Sequence, residues 1–244
     1  MAQFTDRVVV ITGGGSGVGK ATAALFLQAG AQVVIAGRDA AKLAAAAQEL
    51  QGGDALLFLP TDVTDPQQCR RLIERATADF GRVDILVNNA GANIKARTCR
   101  ELTPEVWDMM IRTNLNGAFY CTQAVLPQML ARRDGLIINV VSVAGKRANP
   151  LGGAAYVAAK FGMGAFGLVL ANEEKDSGVR VCNIYPGEID TPILEHRPKP
   201  VTPEQRAVIL QPQDVAQTIL FVASLPARVS IPELVIKPTV QPYW

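Results

Sequence analysis

The feature that most constrains this chain is a repeated unit: a short apolar run, a turn, then a longer helical stretch that ends near a glycine. The runs are RVVVIT (7–12), AQVVIAG (31–37), DALLFLP (54–60), RVDILVNN (82–89), GLIINVV (135–141), VRVCNIY (179–185) and SIPELVI (230–236). Several are apolar at consecutive positions, as strands buried on both faces of a parallel sheet require. Between them, Asp65-Pro66 and Thr103-Pro104 each offer an N-cap followed by a proline at the first helical position. Gly30, Gly81 and Gly178 stand where helices should stop before the next strand. This alternation predicts α/β architecture, a doubly wound parallel sheet of about seven strands flanked by helices. No linker, repeat or low-complexity segment interrupts residues 1–244, so one domain is expected.

Several function classes are disfavoured. Net charge is only +2 and no basic run occurs, so no nucleic-acid partner is expected. Asp6 and Arg7 break the opening apolar stretch, which argues against a signal peptide. No segment is expected to reach the ~20 apolar residues of a membrane helix. Cys69, Cys99, Cys121 and Cys182 are widely spaced with no CxxC pair, suiting reduced thiols in a cytoplasm and offering no metal site. His196 is the sole histidine, so a Ser-His-Asp triad has little to be built from, and it reads as a loop residue.

Two segments carry chemistry. TGGGSGVGKA (12–21) follows the first strand with the spacing Gly13-x-x-x-Gly17-x-Gly19. Glycines let the backbone approach a phosphate, and the following helix presents unpaired N–H groups to it. YVAAK places Tyr156 and Lys160 four apart, hence on one helical face. An ammonium beside a phenol favours the phenolate, lowering a pKa near ~10 by roughly 1–3 units. Such a phenol could work as an acid or base near neutrality.

With NNAG (88–91), Asn114 in TNLNGAF, Ser142 in NVVSVAG and YPGEIDT (185–191), these motifs occur in order along residues 5–225. The chain resembles the short-chain dehydrogenase/reductase family in its compact single-domain form, which implies a Rossmann-type sheet. The resemblance makes Tyr156 the acid/base and Lys160 the partner of both the phenol and the nicotinamide ribose. It makes Ser142, fourteen residues before Tyr156, the group that orients the substrate oxygen, and Asn114 the holder of a relay water. Cofactor contacts would come from Gly13, Ser16, Gly17, Val18 and Gly19 in the glycine turn. Asp62 and Val63 would face the adenine, and Asn88, Asn89, Ala90 and Gly91 the adenosine ribose. Pro186, Gly187, Ile189 and Thr191 would border the nicotinamide, with no metal involved.

The implied activity is hydride transfer between NADP(H) and a small alcohol or ketone. A ribose-binding carboxylate at the end of the second strand would mark an NAD enzyme. Here Gly37 occupies that place, and Arg38 follows with a guanidinium suited to a 2′-phosphate. Asp39 comes too late and suits the N-cap of AAKLAAAAQEL. NADP is therefore expected, with NAD possible, because Ser16 replaces the family's second basic residue. The proline-rich stretch at about 186–211 would be the substrate loop, and its brevity implies a small or open pocket. Asn93, Ile94, Lys95, Val143, Leu151 and Glu188 are pocket candidates. Lys95, Lys146 and Arg147 at the mouth suggest a small hydroxy compound bearing a carboxylate. The tail RVSIPELVIKPTVQPYW is similar to those of members that oxidise serine or 3-hydroxy acids. Alternatives are 3-oxoacyl reduction, or a non-catalytic nucleotide-binding protein; a sugar-nucleotide epimerase would need a further domain. The family's habit and the apolar stretch 159–171 imply a homotetramer, with a dimer possible, in the cytoplasm.

Overall fold

A computed structural model describes residues 3–243. Seven strands form one sheet: β1 (Val8–Thr12), β2 (Gln32–Gly37), β3 (Leu56–Pro60), β4 (Ile85–Asn88), β5 (Gly135–Val140), β6 (Val179–Pro186) and β7 (Glu233–Ile236). Their order is β3-β2-β1-β4-β5-β6-β7, and every pairing is parallel. The strand order reverses between β1 and β4, and ligands of such sheets bind in the crevice at that switch point. The consecutive apolar runs are explained by helices on both faces. Val9 and Ile11 of β1 pack with Val33 and Ile35 against α1 (Gly17–Gln28) and α8 (Pro212–Ser224). Val10 and Val34 face the other way, onto α3 (Pro66–Phe80), α5 (Gly117–Arg132) and α6 (Ala154–Glu173).

The expected caps form. Asp65 accepts from the backbone N–H groups of Gln67 and Gln68, and Thr103 from that of Val106 at the start of α4 (Pro104–Ile111). Asp39 accepts from the Lys42 N–H at the start of α2 (Ala40–Leu50), the capping role its position suggested. Other boundaries differ. Gly53–Ala55 form a 3-10 turn, so β3 starts at Leu56; β7 starts only at Glu233, after Pro232. Gly178 does not close a helix: α6 ends at Glu173, and Gly178 (φ 88°) instead turns the chain into β6. The stretch 186–211 is not all loop. It holds a 3-10 turn (Pro192–His196) and α7 (Pro203–Val208), the latter fixed by a reciprocal capping box between Thr202 and Gln205.

The expectation that no segment reaches membrane-spanning length is corrected by α6, whose 20 residues with mean hydropathy 1.5 pass that test of length and composition. Its apolarity has a local cause, since Ala155, Ala159, Met163, Gly164, Gly167 and Leu170 are buried in the fold. A row of asparagines crosses three strands at that contact. Asn88 donates to Asn139 (3.0 Å), Asn139 to Asn183 (2.9 Å), and Asn183 to the Gly164 carbonyl (2.8 Å). Any Cβ at Gly167 would collide with the Asn183 side chain, so only glycine lets α6 lie this close.

Candidate active site

The crevice is closed at one point by Thr12 and Asn89. The Thr12 hydroxyl accepts from the N–H groups of Asn89 and Ala90, both at 3.0 Å, and the Asn89 side chain donates to the Thr12 carbonyl at 2.9 Å. The glycine turn is packed against this lock. Gly13 adopts φ 68°, and a Cβ there would come within 2.9 Å of the Asn89 amide. Gly19 is a packing glycine, because a Cβ would strike the Gly13 carbonyl. Ser16 precedes α1 with no side-chain capping bond, and no acidic residue stands in the first turn. The opening N–H groups of α1 are thus available to an anion.

One cavity of about 590 Å³ runs from this turn to the 192–197 segment. Gly13, Ser16, Gly17, Val18, Arg38, Asn89 and Gly91 line one end, and Lys42, which sequence reasoning missed, joins them. Ser142, Tyr156, Lys160, Pro186, Gly187, Ile189 and Thr191 line the other end, with Asn93, Val143, Leu151 and Glu188. A dinucleotide phosphate fits this cradle: glycine backbone, uncapped helix start and two exposed cations, Arg38 and Lys42, converge on it. The other expected contacts lie off this lining. Asp62 accepts from the backbone and hydroxyl of Thr64, Val63 is buried beneath Gly117, and Ala90 is held by Thr12. Ile94 and Lys95 are likewise absent from the wall, whereas His196 borders it.

Asn114 sits on a π-helical turn (Arg112–Asn116) joining α4 to α5, an irregularity common at functional sites. Its side chain accepts from the Ala92 N–H and donates to the Ala92 and Met110 carbonyls, all at 3.0 Å. Its amide thus clamps the chain just after NNAG. Asn88 points into the asparagine row rather than the cavity, bonding Thr122 and Asn139.

Tyr156 and Lys160 lie on α6 as the spacing required, but their electrostatics depart from expectation. Lys160 donates to the Val140 carbonyl at 2.8 Å, and its Nζ stands 5.8 Å from the Tyr156 ring centre. Tyr156 is half-buried and borders the cavity. Burial therefore raises the phenol's pKa, and Ser142 and the charge of Arg97 pull it only partly back. Lys160, itself 3 % exposed, is lowered by burial to about 7. Desolvation outweighs the pairing that the sequence suggested.

The basic mouth also changes. Lys146 is paired with Glu233 at 2.7 Å and stands over the Tyr185 ring, and Arg147 lies over the Tyr243 ring. Arg97, which no motif marked, instead lines the cavity and is 6 % exposed.

Comparisons with known proteins bear on the family and the fold. The family model for short chain dehydrogenase matches residues 7–201. An uncharacterised oxidoreductase of Staphylococcus aureus strain USA300 is 36% identical over 238 residues, covering 98% of this chain and all (100%) of that one. A 3-oxoacyl-[acyl-carrier-protein] reductase of Thermotoga maritima is 38% identical over 229 residues, covering 91% of this chain and 92% of its own. Among solved structures, the closed form of a serine dehydrogenase complexed with NADP+ superposes with TM-score 0.89 at 33% identity, covering 97% of this chain and 96% of that one.

Lys160 yields a stability test. Its pKa is about 7 in the fold and 10.5 ordinarily, so between those values the unfolded chain binds more protons. Stability should therefore rise with pH from about 7 to 9, by at most about 1.4 kcal/mol per pH unit. Lys160→Met should flatten this rise in thermal melts. Parallel profiles for the two proteins would show that Lys160 is as readily charged when folded as when unfolded.

Proposed function

This chain belongs to the short-chain dehydrogenase family, and from that premise we propose that it is an NADP-dependent alcohol dehydrogenase or carbonyl reductase. The observation that carries the reading is the convergence of Ser142, Tyr156 and Lys160 on one cavity whose far end is a phosphate cradle. A bound NADP would supply the redox chemistry, a hydride exchanged at the carbinol carbon of an alcohol or the carbonyl carbon of a ketone. Tyr156 exchanges the accompanying proton with the substrate oxygen. Burial keeps its phenol protonated, ready to donate during reduction. Ser142, whose Oγ is held by the Ala144 N–H at 3.1 Å, steadies the same oxygen. Lys160, with a pKa of about 7, is assigned to the nicotinamide ribose and supports the phenolate in the fraction of molecules in which it is charged. Asn114 holds Ala92 and, with Lys160, flanks Gly91, where a Cβ would lie 3.0 Å from the Asn114 oxygen and 3.8 Å from Nζ.

Likeness to the serine dehydrogenase supports a small polar hydroxy compound. Likeness to the Thermotoga reductase favours a second reading, reduction of 3-oxoacyl thioesters. The segment 186–211 would cover the substrate in either case. The proposed compartment is the cytoplasm, supported by four free cysteines, three of them buried; protection of these thiols from alkylation in oxidised but not reduced lysate would count against it.

Tyr156→Phe should abolish nearly all turnover while leaving NADP binding within about twofold. Retention of more than a tenth of wild-type kcat would refute the assignment. In the intact enzyme reduction should fall, and oxidation rise, with increasing pH, because the first needs the phenol and the second the phenolate.

NADP is preferred because Arg38 and Lys42 line the cradle while Asp39 is engaged as a cap. Arg38→Ala should weaken NADP binding by roughly 1.5–3 kcal/mol, the worth of a hydrogen bond to a charged group. NAD binding should barely change. Equal losses for both cofactors in calorimetric titration would show that Arg38 does not recognise the 2′-phosphate.

The assembly we propose is a homotetramer, supported by apolar side chains left on the surfaces of helices and the edge strand. Phe119 of α5, Phe161 and Val169 of α6, and Phe221 of α8 are 41%, 41%, 56% and 53% exposed, and Val235 stands on edge strand β7. Light scattering at micromolar concentration should give four times the chain mass; a monomer would exclude this use of the surface.

A further inference from the structure

We propose that Arg97 is an anion-binding residue of the substrate end, and that the substrate carries a carboxylate close to its reacting carbon. This deepens the hydride-transfer reading and rests on it. The residue follows NNAG in NIKARTC, a stretch that looks like a solvated basic loop. Yet Arg97 is buried and borders the same cavity as Ser142 and Tyr156. A buried guanidinium is costly unless its charge and its donors are satisfied. Three donors are satisfied by backbone carbonyls from three segments. Nε donates to Ile94 at 2.7 Å, one terminal nitrogen to Leu151 at 2.8 Å, and the other to His196.

The charge is left without a counter-ion. No ion pair among the described residues includes Arg97. Glu188 and Glu195 also border the cavity, but Glu188 is bonded to Arg197 at 3.2 Å and Glu195 is exposed. The charge that acts most on Arg97 from the protein is the like charge of Arg197. Arginine has five N–H groups, so three carbonyls leave one on each terminal nitrogen. A carboxylate can accept both, and its single negative charge balances that of Arg97. Arg97, Ser142 and Tyr156 line one cavity together with Leu151 and His196, whose carbonyls Arg97 holds, so a small molecule there can reach both the guanidinium and the phenol. A short oxo or hydroxy acid meets these requirements; a long acyl thioester has no carboxylate there.

The test compares acetoacetate with methyl acetoacetate, which share the reacting ketone and differ in charge. Wild-type enzyme with NADPH should favour the acid in kcat/KM. Arg97→Met should lose on the order of ten- to a hundredfold more for the acid than for the ester, the range for a charge-assisted hydrogen bond. Arg97→Lys should recover part of the preference. Equal or better use of the ester by wild type overturns the proposal. So do equal losses for acid and ester in Arg97→Met, because a mere strut between loops would produce them. A binding measurement covers a variant that fails to fold. Malonate should raise the melting temperature of the wild-type protein and compete with the ester; no stabilisation and no competition also overturn the inference. Stabilisation by malonate that Arg97→Lys keeps in part, with no ketone reduced at all, would leave the anion site standing and the hydride-transfer reading refuted.

Discussion

The structure depends first on the exchange between Thr12 and Asn89. One hydroxyl accepts two backbone N–H groups, and one side-chain amide returns a bond to the other strand's carbonyl. Leaving a buried donor unpaired costs about 1–3 kcal/mol, so the ends of β1 and β4 are strongly held together. These are the strands that flank the switch point. With them fixed, Gly13 must turn left-handed and Gly19 must lack a side chain, and the start of α1 faces the crevice. The phosphate cradle is a consequence of that lock rather than an addition to it.

A second buried polar system aligns α6. Asn88, Asn139 and Asn183 sit opposite one another in the register of β4, β5 and β6. Slipping a strand by one residue would turn its asparagine to the other face, so the row specifies register in a way that interchangeable valines and isoleucines cannot. Asn183 then reaches the Gly164 carbonyl, fixing α6 along its axis, and Gly167 permits the close contact. Tyr156 and Lys160 lie toward the start of that helix, which brings them to the carboxyl ends of the strands.

These systems explain what was legible beforehand. The five inner strands were readable because burial on both faces demands unbroken apolar runs, a demand local in sequence, whereas the edge strands β3 and β7 are only partly buried and their starts were misplaced. The capping role of Asp39 was readable from its place before an alanine-rich helix. Arg97 was not readable, because its neighbours Ile94, Leu151 and His196 meet it only through folding. Lys42 was missed for a similar reason: it belongs to α2, and only the packing of α2 beside the glycine turn brings it to the cavity. The helical spacing of Tyr156 and Lys160 gave proximity but not burial, and burial decides the direction of both pKa shifts. Lys146 and Arg147 misled because their partners, Glu233 and Tyr243, come from the far end of the chain.

The two buried basic groups of the site share one kind of compensation. Lys160 donates to a carbonyl of β5, and Arg97 to three carbonyls of surrounding segments. Carboxylates would have satisfied the same donors, but each would place a negative charge in a poorly screened interior. Between unit charges the interaction falls as 1/(εr), and at an effective ε of about 20 it is roughly 4 kcal/mol at 4 Å. A fixed anion near the phenol would thus oppose the phenolate and any anionic substrate. Carbonyl dipoles satisfy the donors and leave the positive potential in place. The Lys146–Glu233 pair at the periphery is neutralised, whereas the buried basic groups are not. The Arg97 guanidinium therefore keeps its positive charge on the cavity wall, and Lys160, with a pKa of about 7, adds a second only toward the acid side of neutrality.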